Sequence, residues 1–111
     1  MITARIHLPE FYNKERRSRR KRVEEGKFKM VAEELAARFG GGTWKSGATG
    51  VWADPSDGIV YHDNLRILEV GMKDTKTNKG WIRRYVRETL KSRFEQKAIY
   101  LVFTRDSQEV L

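Results

Sequence analysis

The sequence contains no cysteine, so disulfides, thiolate metal sites and cysteine nucleophiles are all excluded. It also lacks any apolar run near the roughly 18 residues that crossing a bilayer takes. Its opening, "MITARIHLPEF", alternates instead of forming the continuous apolar stretch of a signal peptide. No membrane partner and a cytoplasmic location are the simplest expectations. Histidine is confined to His7 and His62 and proline to Pro9 and Pro55. Internal repeats are absent, and the one biased segment is basic.

That segment is "KERRSRRKR", Lys14 to Arg22, with seven cations and one acid. It carries +6 of the formal net charge of +8, which leaves +2 for the rest of the chain. A charge concentrated in this way makes a patch whose field attracts phosphates or acidic surfaces. Lys14, Arg16, Arg17, Arg19, Arg20, Lys21 and Arg22 are therefore the candidate nucleic-acid-binding residues. An acidic protein or membrane surface is a second use for them. A third is a solvated connector relieved by Glu15, Glu24 and Glu25.

At 111 residues and 39% hydrophobic, the chain suits a single domain, residues 1–111, with a basic connector at residues 13–26. In "ITARIHL", Ile2, Ala4, Ile6 and Leu8 alternate with Thr3, Arg5 and His7, the period of a strand with one buried face, and Pro9 should end it. "KFKMVAEELAARF" places Phe28, Val31, Leu35 and Phe39 on one helical stripe, stopped by Gly40 to Gly42. The turn-forming "DPSDG" predicts a hairpin between two strands. In the second of these, Leu65 and Ile67 fall on one parity and Leu68, Val70 and Met72 on the other. This calls for a bulge near residue 67 or partial cover on both faces.

Asn78 is placed to begin the next helix, in which Ile82, Val86, Leu90 and Phe94 form the buried stripe. Arg83, Arg84, Arg87 and Lys91 lie on its other side and could extend the basic surface. "AIYLVFT" reads as a strand long enough to be central. Strand, helix, strand, strand, helix, strand is the split βαβ order. The expected fold is therefore α+β and ferredoxin-like, a four-stranded antiparallel sheet with both helices on one face. The uncovered face carries some apolar area, for which a homodimer through sheet-to-sheet packing is the favoured use, ahead of stacking RNA bases.

The stretch from Phe39 to Met72, with "FGGGTW", then "GVW", then "GIVYHDNLRILEV", resembles a group of small uncharacterised prokaryotic ferredoxin-like proteins. They share a phenylalanine-glycine pair before the second strand and a G-x-W … G-x-x-Y hairpin. The resemblance covers about a third of the chain and implies fold, not activity.

"GGGTWKSGATG" is not a phosphate loop, because its glycines follow a helix C-terminus, where the dipole repels anions, and no Gly-Lys-Ser/Thr follows. For catalysis the sequence offers His7, His62, Ser46, Asp54, Asp57 and Asp63. His62 and Asp63 are neighbours on a strand and so point to opposite faces. His7 and His62 could share a metal or proton-transfer site only if their strands pair. Trp44, Trp52 and Trp81 read as core or interface anchors. The expectation is a non-catalytic domain without cofactor or metal that binds nucleic acid through the basic segment. The alternative is a dimeric interaction module in which that segment is solvated.

Overall fold

A computed structural model describes residues 1–12, 21–105 and 111. Strand β1 (Ile2–Pro9) is followed by helix α1 (Glu25–Phe39), then the hairpin of β2 (Thr43–Ala53) and β3 (Val60–Met72). Next comes a helical rod made of α2 (Lys76–Arg84), a π-helical turn (Tyr85–Leu90) and α3 (Lys91–Arg93), and the chain returns in β4 (Tyr100–Arg105). The strands form one antiparallel sheet in the order β2-β3-β1-β4. Two helical elements on one face of such a sheet make the ferredoxin-like α+β fold that the element order predicts.

The core follows the periodicities. Ile2, Ala4, Ile6 and Leu8 of β1 are buried with Phe28, Val31 and Leu35 of α1 and with Ile82, Val86, Leu90 and Phe94 of the rod. Those last four residues recur every fourth position, which on an ideal α-helix drifts about 40° per step. The wider winding of the π turn takes up that drift and keeps all four against the sheet. Between the helices, the Glu34 carboxylate accepts bonds from both Arg93 guanidinium nitrogens, Nη2 at 3.1 Å, and from the Tyr85 hydroxyl at 3.1 Å. Arg93 holds Glu34 below the usual carboxylate range. Burial raises the Tyr85 phenol.

Helix α1 ends at Gly40, whose φ of 90° lies in the left-handed region and lets its N–H bond the Ala36 carbonyl at 2.8 Å. The rod begins earlier than the sequence suggests: the cap is Thr75, whose side chain accepts the N–H of Asn78, while the Asn78 side chain donates back to the Lys73 carbonyl. Glu25 and Gly26 already belong to α1, so the connector is shorter than residues 13–26.

Strand β4 lies at an edge, not the centre. Its long apolar run is explained by two-sided use: Leu101 and Phe103 pair with Ile6 and Ala4 on the core side, while Tyr100 and Val102 pair with His7 and Arg5 on the other. In β3 both faces are partly covered, and pairing with β1 is unbroken from Ile2↔Met72 to Pro9↔Leu65. The bulge falls on β2, between Lys45 and Ala48, where Gly47 has a φ of 83°.

No residue of β2 is buried, and beyond Leu65 the hairpin runs on as an arm past the end of β1, its tip tied to the segment after the rod by Lys97, 3.4 Å from Asp54. The core and the arm should therefore respond differently to truncation. Phe94→Ala is expected to cost about 3–5 kcal/mol in urea unfolding. Val51→Ala, on the arm, should change stability by less than about 0.5 kcal/mol.

Candidate functional site

The basic run leaves and re-enters the described structure through a short antiparallel neck. Phe11 bridges Arg22, the Tyr12 N–H donates to the Lys21 carbonyl at 2.8 Å, and the Val23 N–H donates to the Glu10 carbonyl at 2.8 Å. The neck is seated on the sheet, because the Glu10 N–H donates to the Asn64 carbonyl of β3 at 2.9 Å. Tyr12 and Val23 are buried and join the core cluster. Two ionic clusters tighten it.

In the first cluster, the Tyr12 hydroxyl donates to the Glu24 carboxylate, Lys21 lies 3.2 Å from Glu24, and the Lys27 ammonium sits 4.7 Å from the Tyr12 ring centroid. The phenol's hydrogen bond, with smaller help from Lys21, lowers Glu24 to about 2. In the second, Arg66 on the core-side parity of β3 donates to Glu10 at 3.1 Å and to Glu25 at 2.7 Å and lies over the Phe28 ring at 4.2 Å. Arg22 reaches Glu10 at 3.7 Å. The helical rod ends against the neck: Gln96 donates to the Phe11 carbonyl at 3.0 Å, and Lys27 donates to the Arg93 carbonyl at 2.8 Å.

Of the candidate residues, Lys14, Arg16, Arg17, Arg19 and Arg20 lie outside the described residues. Lys21 and Arg22 are partnered in the neck, yet their side chains remain 74% and 62% exposed. On the rod, Arg84 and Arg87 are exposed and Lys91 is half-buried. Among the described residues none of these three forms an ion pair. Arg83 is engaged differently, with its guanidinium 5.3 Å from the Phe103 ring. Lys91 lies about one turn from the neck, and Arg87 and Arg84 lead away from it along the rod.

The structure separates the two histidines. His7 pairs with Ile67 of β3, whereas His62 pairs with Val51 of β2. The two positions are five residues apart along β3, about 17 Å, and their parities put the side chains on opposite faces. The His7 Nδ1–H donates to the Tyr100 carbonyl at 3.2 Å, and its ring meets Tyr100 edge-on at 5.0 Å. Asp63 is buried and accepts the Trp52 indole N–H at 2.7 Å, and Trp52 stacks on Tyr61 at 4.7 Å. Among the described residues no cluster of three His, Cys, Asp or Glu side chains is arranged to hold a metal.

The sheet face away from the helices is crossed by a ladder of charges. Lys45 lies 2.6 Å from Glu69, Glu69 lies 3.5 Å from Arg5, and Arg5 donates to the Thr104 hydroxyl. Thr3 has the outward parity expected of it but is buried between Gly71 and Thr104. Arg66 and Glu10 are not among the residues singled out from the sequence. The signal was available, since Arg66 shares its parity with Leu68, Val70 and Met72, and a cation on a buried stripe needs partners.

Among solved structures, the chain is similar to a divalent cation tolerance protein (Cut A1) from Thermus thermophilus. The TM-score is 0.64 at 15% identity, over 99% of this chain and 88% of that one. At that identity the likeness speaks for the fold alone. A comparison with curated proteins found no match. A protein-family model, described as Protein of unknown function (DUF3574), matches residues 10–109.

Glu24 gives the neck an acid response. Its carboxyl is depressed in the folded state, so its contribution is complete above the ordinary value of 4.5 and is lost as pH falls through about 2. An NMR titration of the Tyr12 ring should move with a midpoint near 2, and Glu24→Gln should remove most of that movement.

Proposed function

The chain belongs to the DUF3574 family of proteins of unknown function, and we propose that it binds nucleic acid non-catalytically, through phosphate contacts made by the basic segment and the outer face of the helical rod. The observation that carries this reading is the neck. Residues 13–20 hold five cations and one acid, and the residues that flank them are fixed side by side by the Tyr12–Lys21 and Glu10–Val23 bonds. A segment held at both ends has less freedom to lose when it meets a ligand, so more of its contact energy appears as affinity.

Four of the five cations in this stretch are arginines, whose planar guanidinium matches phosphate oxygens two at a time. Lys21 and Arg22 add exposed charge at the base of the neck. Lys91, Arg87 and Arg84 continue it along the rod, since the rod's end is bonded to Phe11. The Lys27–Arg93 contact ties the rod's end to the start of α1, next to the neck. Contacts of this kind position a duplex without reading its bases, so binding is largely independent of sequence.

Fluorescence anisotropy with a labelled duplex tests this reading. Changing Arg16, Arg17, Arg19 and Arg20 to alanine together should abolish binding at low salt with the far-UV circular dichroism unchanged. Changing Arg84, Arg87 and Lys91 to alanine should reduce the log-log salt slope by up to about 0.9 for each cation removed. Wild-type protein that fails to bind at low salt, or a slope unaffected by the rod substitutions, would sink the corresponding half of the proposal.

A further inference from the structure

At the end of the sheet away from the neck, where Ile2 pairs with Met72, the surface forms an open cleft of about 540 Å³. Met1, Phe39 and Met72 supply its apolar walls, and Arg38, Lys73 and Asn78 supply its polar groups. An apolar surface with a few convergent polar groups is the make-up of a small-molecule site. No acid lines it among the described residues.

The two cations are held in place, and neither is neutralised. Arg38 packs its guanidinium against Trp81, 4.6 Å from the ring centroid, and Trp81 is itself stacked on Tyr85 at 4.9 Å and met edge-on by Phe39 at 5.5 Å. The planar fork is thus oriented before any ligand arrives. Lys73 is steadied through its backbone, because its carbonyl accepts the Asn78 side-chain amide at 3.1 Å and the Thr75 N–H at 2.9 Å. Asp74, the adjacent acid, is taken up by Lys79 at 2.8 Å and Arg105 at 3.1 Å. Among the described residues Arg38 and Lys73 have no carboxylate partner. The C-terminus of α1 and the first turn of α2 meet here with opposed dipoles, so the charge of the cleft rests on these two side chains.

We propose that this cleft binds a small phosphate monoester, its phosphate on Arg38 and Lys73 and its apolar body against Phe39 and Met72. Charge selects the head group: a phosphate monoester carries about −1.5 to −2 at pH 7, close to one charge for each cation, whereas a carboxylate brings one. The Arg38 fork takes two phosphate oxygens at once, and Lys73 acts on the third as a point charge. The site goes beyond the nucleic-acid reading and stands apart from it, since neither cation belongs to the neck or to the helical rod.

A heteronuclear NMR titration of the full chain with phenyl phosphate, at neutral pH and about 0.1 M salt, tests the proposal. The amides of Gly71, Lys73 and Asn78 and the Trp81 indole N–H should shift saturably, with a dissociation constant of about 1 mM or below, while the Trp44 and Trp52 indoles stay in place. Arg38→Gln and Lys73→Gln, both at exposed positions, should each weaken binding at least about tenfold. Lys29→Gln, which removes a cation elsewhere on α1, should leave it unchanged. Inorganic phosphate lacks the apolar body and benzoate lacks the second charge, and each should bind at least about tenfold more weakly than phenyl phosphate. The proposal is overturned by shifts that do not saturate or that spread over the whole basic surface, by either glutamine variant at Arg38 or Lys73 binding like wild type, or by equal binding of inorganic phosphate or benzoate.

Discussion

The structure depends on β1, the most buried strand and, with β3, one of the two that pair on both sides. Ile2, Ala4, Ile6 and Leu8 give the two helical elements a continuous apolar floor, and the registers place β3 against all eight residues of β1 and β4 against its first six. Because the side-chain period of a strand is two, a one-residue slip would turn that floor toward solvent and bring Arg5 and His7 under the helices. The whole domain is locked to one alignment by that penalty. Where β1 ends, the same strand path continues into the neck, so the position of the basic segment is inherited from the core.

Charge in this protein is divided by role. On the core side Arg66, Glu10 and Glu25 close the gap between β3, the neck and the start of α1, while Glu34, Arg93 and Tyr85 tie α1 to the rod. Arg66, Glu10 and Arg93 are partly desolvated and each is paired, so leaving one of them alone would cost more than the pair contributes. Arg84, Arg87 and Lys91, which have no carboxylate partner among the described residues, lie elsewhere, along the rod. The distribution separates these rod cations from an ionic framework whose groups are already paired. The likeness to a divalent cation tolerance protein concerns the backbone and leaves this division to be understood from the side chains themselves.

The hairpin arm follows a different logic from the rest of the molecule. Its turn is well made: Asp54 accepts the N–H and hydroxyl of Ser56, and Asp57 accepts the N–H of Ile59 and the hydroxyl of Tyr61. Yet it contributes almost nothing to the core. Turn chemistry and the Trp52–Tyr61 stack shape it locally, while its outer edge and exposed valines remain uncovered.

The element order, the alternation in β1, the stripes of α1 and the rod, and the hairpin turn were legible in the amino-acid sequence, because each is a local periodicity or a short turn signal. From these the ferredoxin-like arrangement follows. Four matters were decided only by tertiary structure. The bulge lies on β2, because the glycine-rich strand bends more cheaply than β3, which β1 holds straight from Leu65 to Met72. The edge position of β4 was hidden by its apolar composition, which serves the core on one parity and the rim of the open face on the other. His7 and His62 are kept apart by register, a quantity that depends on how two distant strands align. The residues flanking the basic segment form a clamped neck because Glu10, the adjacent Glu24 and Glu25, and the remote Arg66 converge where β1 ends and α1 begins. Local pattern thus determined which elements form, and the pairing of remote residues determined where their charges meet.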